Sequence, residues 1–131
     1  MMSDLYVIDT HALFWHLINS SKLSEVGRQV FQRAFRGEVT LILSPIVLLE
    51  LYGLARKVSA PFNFAAELAL FEQPPFRIEP ITTGDLYLLD RLNVIPELHD
   101  RLIAATAFRL SVPLLTRDPL ISACPEVTCV W

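Results

Sequence analysis

Residues 5–15 read LYVIDTHALFW and place one carboxylate between two apolar segments of different kinds. Leu5–Ile8 is a short apolar run, typical of a strand that is buried on both faces. Residues 11–18 have the apolar spacing of a helix, for which Asp9 or Thr10 would be the cap. A strand followed by a helix is the first unit of an α/β fold, and Asp9 lies at the junction.

Strand-like and helix-like segments continue to alternate along the chain. The further predicted strands are residues 40–43, 76–78, 113–116 and 128–130. The further predicted helices are residues 24–35, 44–57, 63–71 and 99–110, with a capping box at 82–85 opening another. Apolar strands that alternate with helices pair in parallel, because each crossover helix covers a face of the sheet. The sequence therefore predicts an α/β fold, a three-layer α/β/α sandwich with a mainly parallel central sheet.

Length and composition limit the class of protein. A chain of 131 residues is expected to form a single domain spanning 1–131. Hydrophobic residues make up 53% of it and the mean hydropathy is +0.43, which predicts an apolar surface patch and hence a partner or a homodimer. The net charge of −3 excludes a broad basic footprint for nucleic acid, although a local cluster of arginines stays possible.

The sequence also predicts a cytoplasmic protein that does not contact a membrane. The longest nearly apolar run, residues 39–49, is shorter than the roughly 18 residues of a spanning helix, and the start MMSDLYVID has no positively charged segment. Cys124 and Cys129 are too few for a disulfide framework and have no neighbouring histidines to complete a zinc site, so we expect them to be reduced.

Four acidic residues lie where a carboxylate is unexpected. Asp9 and Asp118 follow predicted strands, and ligand sites in open parallel sheets form beyond the carboxyl ends of strands. Taken singly, Asp9 is more simply explained as a helix cap and Asp118 as a turn residue before Pro119. Glu50 has apolar neighbours three and four residues away on its helix, which is unusual for a surface glutamate. Asp100 lies near a helix start, where a cap and a ligand are both possible.

If these four carboxylates converge, a cation is needed between them. At an effective dielectric constant near 20, two carboxylates about 4 Å apart repel by roughly 4 kcal/mol. An all-oxygen set of ligands suits Mg²⁺ or Mn²⁺ better than zinc. Such an ion can activate water against a phosphodiester, so no serine, cysteine or lysine nucleophile is required.

Four motifs, in order along the whole chain, resemble those of the PIN-domain nucleases and, within them, the VapC-type toxins of prokaryotic toxin–antitoxin pairs. The motifs are IDTHALFW (8–15), SPIVLLEL (44–51), HDRLIAATA (99–107) and PLLTRDPLI (113–121). The resemblance implies that Asp9, Glu50, Asp100 and Asp118 hold the metal and that the Thr116 hydroxyl supports the site.

The same resemblance implies a metal-dependent endoribonuclease. Its substrate would be tRNA, rRNA or mRNA, cut by metal-activated water to leave a 5′-phosphate and a 3′-hydroxyl. It also implies a homodimer and a cognate antitoxin that blocks the site. Glu97 stands where related toxins often carry aspartate, and Pro119 follows Asp118, so the number of metal ions stays open.

Arginines and histidines of this chain could have either a functional or a structural role. Arg101 and Arg117 lie beside proposed ligands and are candidates for RNA contacts. Further cations could follow the RNA backbone: Arg28, Arg33, Arg36, Arg56 and Lys57. A solvated surface position is the simpler assignment for any one of them. We assign structural roles to the three histidines: His11, His16 and His99.

Other functional classes fit less well. Three histidines are too few for a dinuclear metallophosphatase, position 11 is not the second aspartate of a haloacid-dehalogenase-like phosphatase, and no lysine ends a late strand as in a receiver domain. Four scattered glycines form no phosphate-binding loop. The remaining alternative is a non-catalytic binding module of the same fold that sequesters RNA or a partner protein.

Overall fold

The computed structural model describes residues 3–131, and its centre is a five-stranded sheet. The strands are β1 (Leu5–Ile8), β2 (Thr40–Leu43), β3 (Phe76–Ile78), β4 (Leu114–Leu115) and β5 (Cys129–Val130). All four neighbouring pairs are parallel, in the order β3-β2-β1-β4-β5. The predicted parallel sheet is confirmed, and each observed strand falls within a predicted one.

Seven helices accompany the sheet within residues 3–131. They are α1 (Thr10–Leu17), α2 (Glu25–Phe35), α3 (Pro45–Val58), α4 (Phe64–Phe71), α5 (Thr83–Tyr87), α6 (Leu98–Leu110) and α7 (Pro119–Ser122). The three central strands, β1, β2 and β4, are largely buried, as expected for a sheet between helical layers, and the edge strands β3 and β5 are more exposed. This arrangement confirms the predicted α/β/α sandwich.

The strand order reverses around β1, which determines where a ligand can bind. The chain passes from β1 to β2 and β3 on one side of the sheet, then crosses to β4 and β5 on the other. Ile8 is in register with Leu115, so β1 and β4 end side by side. In open α/β sheets the crevice beyond the strand ends at such a switch point is the usual ligand site.

Local capping signals determine where most helices begin. Ser24 and Ser44 cap α2 and α3 with their side chains, and Pro45 occupies the first helical turn of α3. Thr82 and Asp85 form the predicted capping box of α5.

Two helix starts differ from expectation. Helix α6 begins at Leu98, and its cap is Glu97 rather than Asp100, which lies in the first turn. Asp118, interpreted from the sequence as a turn residue if not a ligand, caps the four-residue helix α7, which was not predicted. A segment this short has no hydrophobic periodicity to detect.

A buried ion pair joins α5 to α6. Asp85 is fully buried, and Arg109 donates to its carboxylate from Nε at 2.6 Å and to Glu79 from Nη1 at 3.1 Å. This pair anchors the body of α6, whose first turn carries Asp100.

Among residues 3–131, no helix is both long and apolar enough to cross a membrane.

Candidate active site

A cavity of about 520 Å³ lies beyond the ends of β1 and β4. The structure brings all four sequence-predicted acids to it and adds Glu97 as a fifth carboxylate. The lining residues are Asp9, Thr10, His11, Glu50, Gly53, Leu54, Lys57, Glu97, Asp100 and Asp118. Thr116, the remaining predicted residue, is buried behind Asp9 and hydrogen-bonded to it.

Asp9 is the most enclosed of the acids that line the cavity, with 8% of its surface exposed. Its Oδ1 accepts a hydrogen bond from the Thr10 amide at 2.8 Å, and its Oδ2 accepts one from the Thr116 hydroxyl at 2.6 Å. Burial raises the pKa of Asp9, while the two hydrogen bonds lower it. The Asp9 carboxylate is therefore held in one orientation by Thr10, which follows β1, and by Thr116, which follows β4.

Asp118 is held through the same threonine. Its amide donates to the Thr116 hydroxyl at 3.1 Å, and its Oδ1 accepts from the Leu120 amide at 2.8 Å. One buried hydroxyl thus connects two acids that are 109 positions apart in the chain. The Thr116 side chain therefore orients both Asp9 and the loop that carries Asp118.

Glu50 reaches the cavity from α3 and connects two other helices. Its Oε1 accepts from the Thr10 hydroxyl at 2.6 Å, and its Oε2 lies 3.2 Å from His99 Nδ1. Thr10 belongs to α1 and His99 to α6. Sequence reasoning assigned neither residue to the site, and it gave His99 a purely structural role.

The pKa of Asp100 shows most clearly that negative charges are crowded in the cavity. Burial raises its pKa, and the nearby charges of Asp9, Glu97, Asp118 and Glu50 raise it further, to about 7. Glu97 accepts hydrogen bonds from the His99 and Asp100 amides at 3.1 and 3.0 Å, so it contributes a fixed charge at the same helix end. A cation in the cavity would relieve this repulsion.

The available donor atoms suit a divalent ion. Five carboxylates supply oxygen ligands of the kind that Mg²⁺ and Mn²⁺ prefer. Glu50, Glu97 and His99 each present one ligand atom, and these three atoms lie within 4.8 Å of one another. Residues of this cavity therefore fit a metal site, with Asp9 and Asp118 oriented by the hydrogen bonds described above.

The cations proposed from sequence are arranged unevenly around the cavity. Arg101 donates from Nε to the Ile95 carbonyl, so its guanidinium supports the loop before α6. Arg117 lies over the Trp15 ring, 5.5 Å from its centroid. Lys57, in contrast, lines the cavity itself.

His16 is structural, as predicted. Its ring stacks on Phe31 with 4.0 Å between centroids, and burial lowers its pKa. His11 lies on the cavity wall, where its ring is 5.5 Å from that of Trp15.

Comparison with known proteins identifies the family. The model of the PIN domain family matches residues 6–125. The chain belongs to the PIN domain family. A search of curated proteins gave no match.

Several solved structures share the fold of this PIN domain. VapBC2 from Rickettsia felis, bound to a DNA fragment from its promoter, has a TM-score of 0.71 at 19% identity, with 96% of this chain and 97% of that one covered. FitAcB from Neisseria gonorrhoeae has a TM-score of 0.68 at 20% identity, with 96% of each chain covered. A toxin–antitoxin complex from Klebsiella pneumoniae has a TM-score of 0.61 at 22% identity, covering 94% and 95%. At these identities the likeness establishes the fold.

Sequence reasoning missed two residues that contact the acids of this PIN domain, Thr10 and His99, although some signals were present. Thr10 directly follows Asp9, so its position beside the first predicted ligand was a signal, although its hydroxyl donates to the distant Glu50. His99 lies between Glu97 and Asp100, in the first turn of α6. The contact of His99 with Glu50 joins residues 49 positions apart, and no local pattern predicts it.

Proposed function

We propose that this PIN domain is a metal-dependent endoribonuclease and the toxin of a type II toxin–antitoxin system. The observation that carries the proposal is the convergence of Asp9, Glu50, Asp100 and Asp118 on one cavity at the switch point of a parallel sheet. Membership of the PIN family supports a nuclease, and the structural relatives that are described as toxin–antitoxin complexes support the toxin role.

The four acids are proposed to hold Mg²⁺ or Mn²⁺. When bound, the ion would supply activation of water and neutralisation of charge on the phosphodiester. The Thr116 hydroxyl fixes the orientation of Asp9, and the Thr10 hydroxyl does the same for Glu50. Because the Thr10 hydroxyl donates to a carboxylate, we assign it to orientation rather than attack, and water is the proposed nucleophile. The products would carry a 5′-phosphate and a 3′-hydroxyl.

The proposed partners are a cognate antitoxin and a second copy of the chain, in the cytoplasm. Exposed apolar side chains on the outside of the fold support this proposal. Leu49 is 60% exposed, Leu98 is 58% exposed and Tyr87 is 87% exposed. Burial of such side chains by another protein is favourable because it removes apolar area from water.

Purified protein without antitoxin would test the proposed activity. We would incubate it with labelled single-stranded RNA, tRNA and duplex DNA in Mg²⁺, Mn²⁺ or EDTA, and determine the end groups of any product. Cleavage of RNA to 5′-phosphate ends that disappears in EDTA is the expected result. Binding of RNA without cleavage under every condition would instead indicate the non-catalytic binding module.

Replacement of Thr116 by valine is expected to lower the rate of RNA cleavage by about 10- to 100-fold, as for other residues that orient metal ligands. The hydrogen bond from Thr116 lowers the pKa of Asp9, so its loss should raise that pKa and move the acidic limb of the pH–rate profile to higher pH. Thr128→Val is a suitable control because Thr128 is exposed and lies outside this cavity. An unchanged acidic limb would contradict the role given to Thr116.

A further inference from the structure

One face of α3 forms a wall of the candidate active site. Glu50, Gly53, Leu54 and Lys57 all line the cavity and follow the spacing of a single helical stripe. Seven residues of helix rise by about 10 Å, so Lys57 lies nearly two turns beyond Glu50. The stripe therefore runs from a proposed metal ligand to an ammonium group.

Within residues 3–131, Lys57 differs from the arginines because its ammonium forms no ion pair and no cation–π contact. Within residues 3–131, each of the nine arginines contacts a carboxylate, a backbone carbonyl or an aromatic ring. In that same part of the chain no carboxylate lies within 4.0 Å of the Lys57 ammonium, although five of them line the same cavity. The ammonium is available to an outside ligand.

Gly53 leaves the helix surface bare between Glu50 and Lys57. Glycine in a helix interior is less stable than alanine, so its presence there has a cost to the fold. A Cβ built at Gly53 would meet no atom within 4 Å, and the packing of this chain therefore does not require the glycine. The bare surface is open space beside the cavity, where a ligand can approach the helix closely.

Electrostatics indicates which ligand Lys57 suits. Five carboxylates oppose the approach of an RNA strand, and one divalent ion offsets only part of their charge. A phosphate that flanks the cleaved bond therefore needs a cation of its own. Lys57 is the one lysine or arginine among the residues that line the cavity in the described chain.

We propose that an RNA strand crosses the bare face of α3 at Gly53 and that Lys57 pairs with a phosphate flanking the cleaved bond. Lys57 is then a substrate-positioning residue, and the inference rests on the nuclease function proposed above. Lysine acts here as a point charge, so it contributes affinity and register without reading the base.

Binding would be measured by fluorescence anisotropy with a labelled single-stranded RNA of mixed sequence, in Mg²⁺ and in an Asp9→Asn background that prevents cleavage. Lys57→Gln is expected to raise Kd by about five- to tenfold at 0.1 M salt. It should also reduce the slope of log K against log salt by about 0.7, the value for one phosphate contact on a single strand. Lys57→Arg should retain most of the affinity.

Lys22→Gln is the matched control, because Lys22 is the other lysine, is exposed and lies outside the cavity. It removes the same charge and should leave both the Kd and the slope unchanged. With Asp9 intact, Lys57→Gln should raise KM for RNA cleavage by the same five- to tenfold and change kcat less than twofold.

The outcomes separate this inference from the proposed function. Suppose the wild type cleaves RNA but Lys57→Gln and Lys22→Gln have equal Kd values and equal salt slopes. The proposed contact between Lys57 and RNA would then be wrong, while the nuclease function would stand. If the wild type does not cleave RNA but Lys57→Gln alone weakens RNA binding, the proposed nuclease function would be wrong. The proposed course of RNA across α3 would then be supported. Absence of RNA binding by every variant would overturn both.

Discussion

Asp9→Asn is expected to lower the rate of RNA cleavage by at least about 10³-fold while the protein stays folded. The carboxylate of Asp9 is proposed to bind the metal, and the amide that replaces it has no charge and one oxygen fewer. Asparagine has nearly the same shape and can still accept the Thr10 amide bond that caps α1. The Thr116 hydroxyl can rotate to face either an oxygen or an amide group.

Three measurements would establish this result. Single-turnover cleavage gives the rate, calorimetry with Mn²⁺ gives the metal affinity, and thermal unfolding reports on the fold. Asp90→Asn is the control, because Asp90 is exposed and lies outside the cavity. If Asp9→Asn kept more than a tenth of the wild-type rate, Asp9 would not be an essential ligand, and the chemistry proposed for this cavity would be wrong.

Without metal, the free energy of unfolding should fall as the pH rises from about 4 to 8, and Asp100 should account for much of the change. The pKa of Asp100 is raised from 3.8 to about 7 by burial and by the neighbouring carboxylates. Between these values the folded protein keeps a proton that the unfolded chain has released. Raising the pH then favours the unfolded state. The Asp100 carboxyl is about half buried, so solvent screening reduces the size of the effect.

Urea unfolding at pH 5 and pH 8, in EDTA and in Mn²⁺, would test this expectation. Asp100→Asn should flatten the pH dependence in EDTA and be more stable than the wild type at pH 8. Mn²⁺ should stabilise the wild type more at pH 8 than at pH 5, because protons compete with the ion for carboxylates. Parallel pH curves for the wild type and Asp100→Asn would show that Asp100 is not the group responsible.

Much of the fold was predictable because its signals are local. Short apolar runs are long enough for a strand buried on both faces, and Ser44 followed by Pro45 is a strong helix start. The placement of Asp9 at the end of β1 follows from the same patterns. The four motifs also led to the correct family, since their order along the chain is a property of the sequence.

Local signals failed where a segment was short or two roles overlapped. Helix α7 has four residues, too few for any periodicity. In the first turn of α6, both Glu97 and Asp100 have the chemistry of a cap, and only the backbone geometry shows that Glu97 takes that position.

The properties of the candidate site depend on contacts between distant parts of the chain. Thr116 meets Asp9 across 107 positions, and His99 meets Glu50 across 49. Periodicity and capping involve residues within about four positions of each other, so they determine the helices, the strands and the types of side chain at their ends. The strand order and helix packing then determine which of those side chains share a cavity. Hence the raised pKa of Asp100 and the position of Lys57 are consequences of packing, which places five carboxylates and that lysine in one cavity.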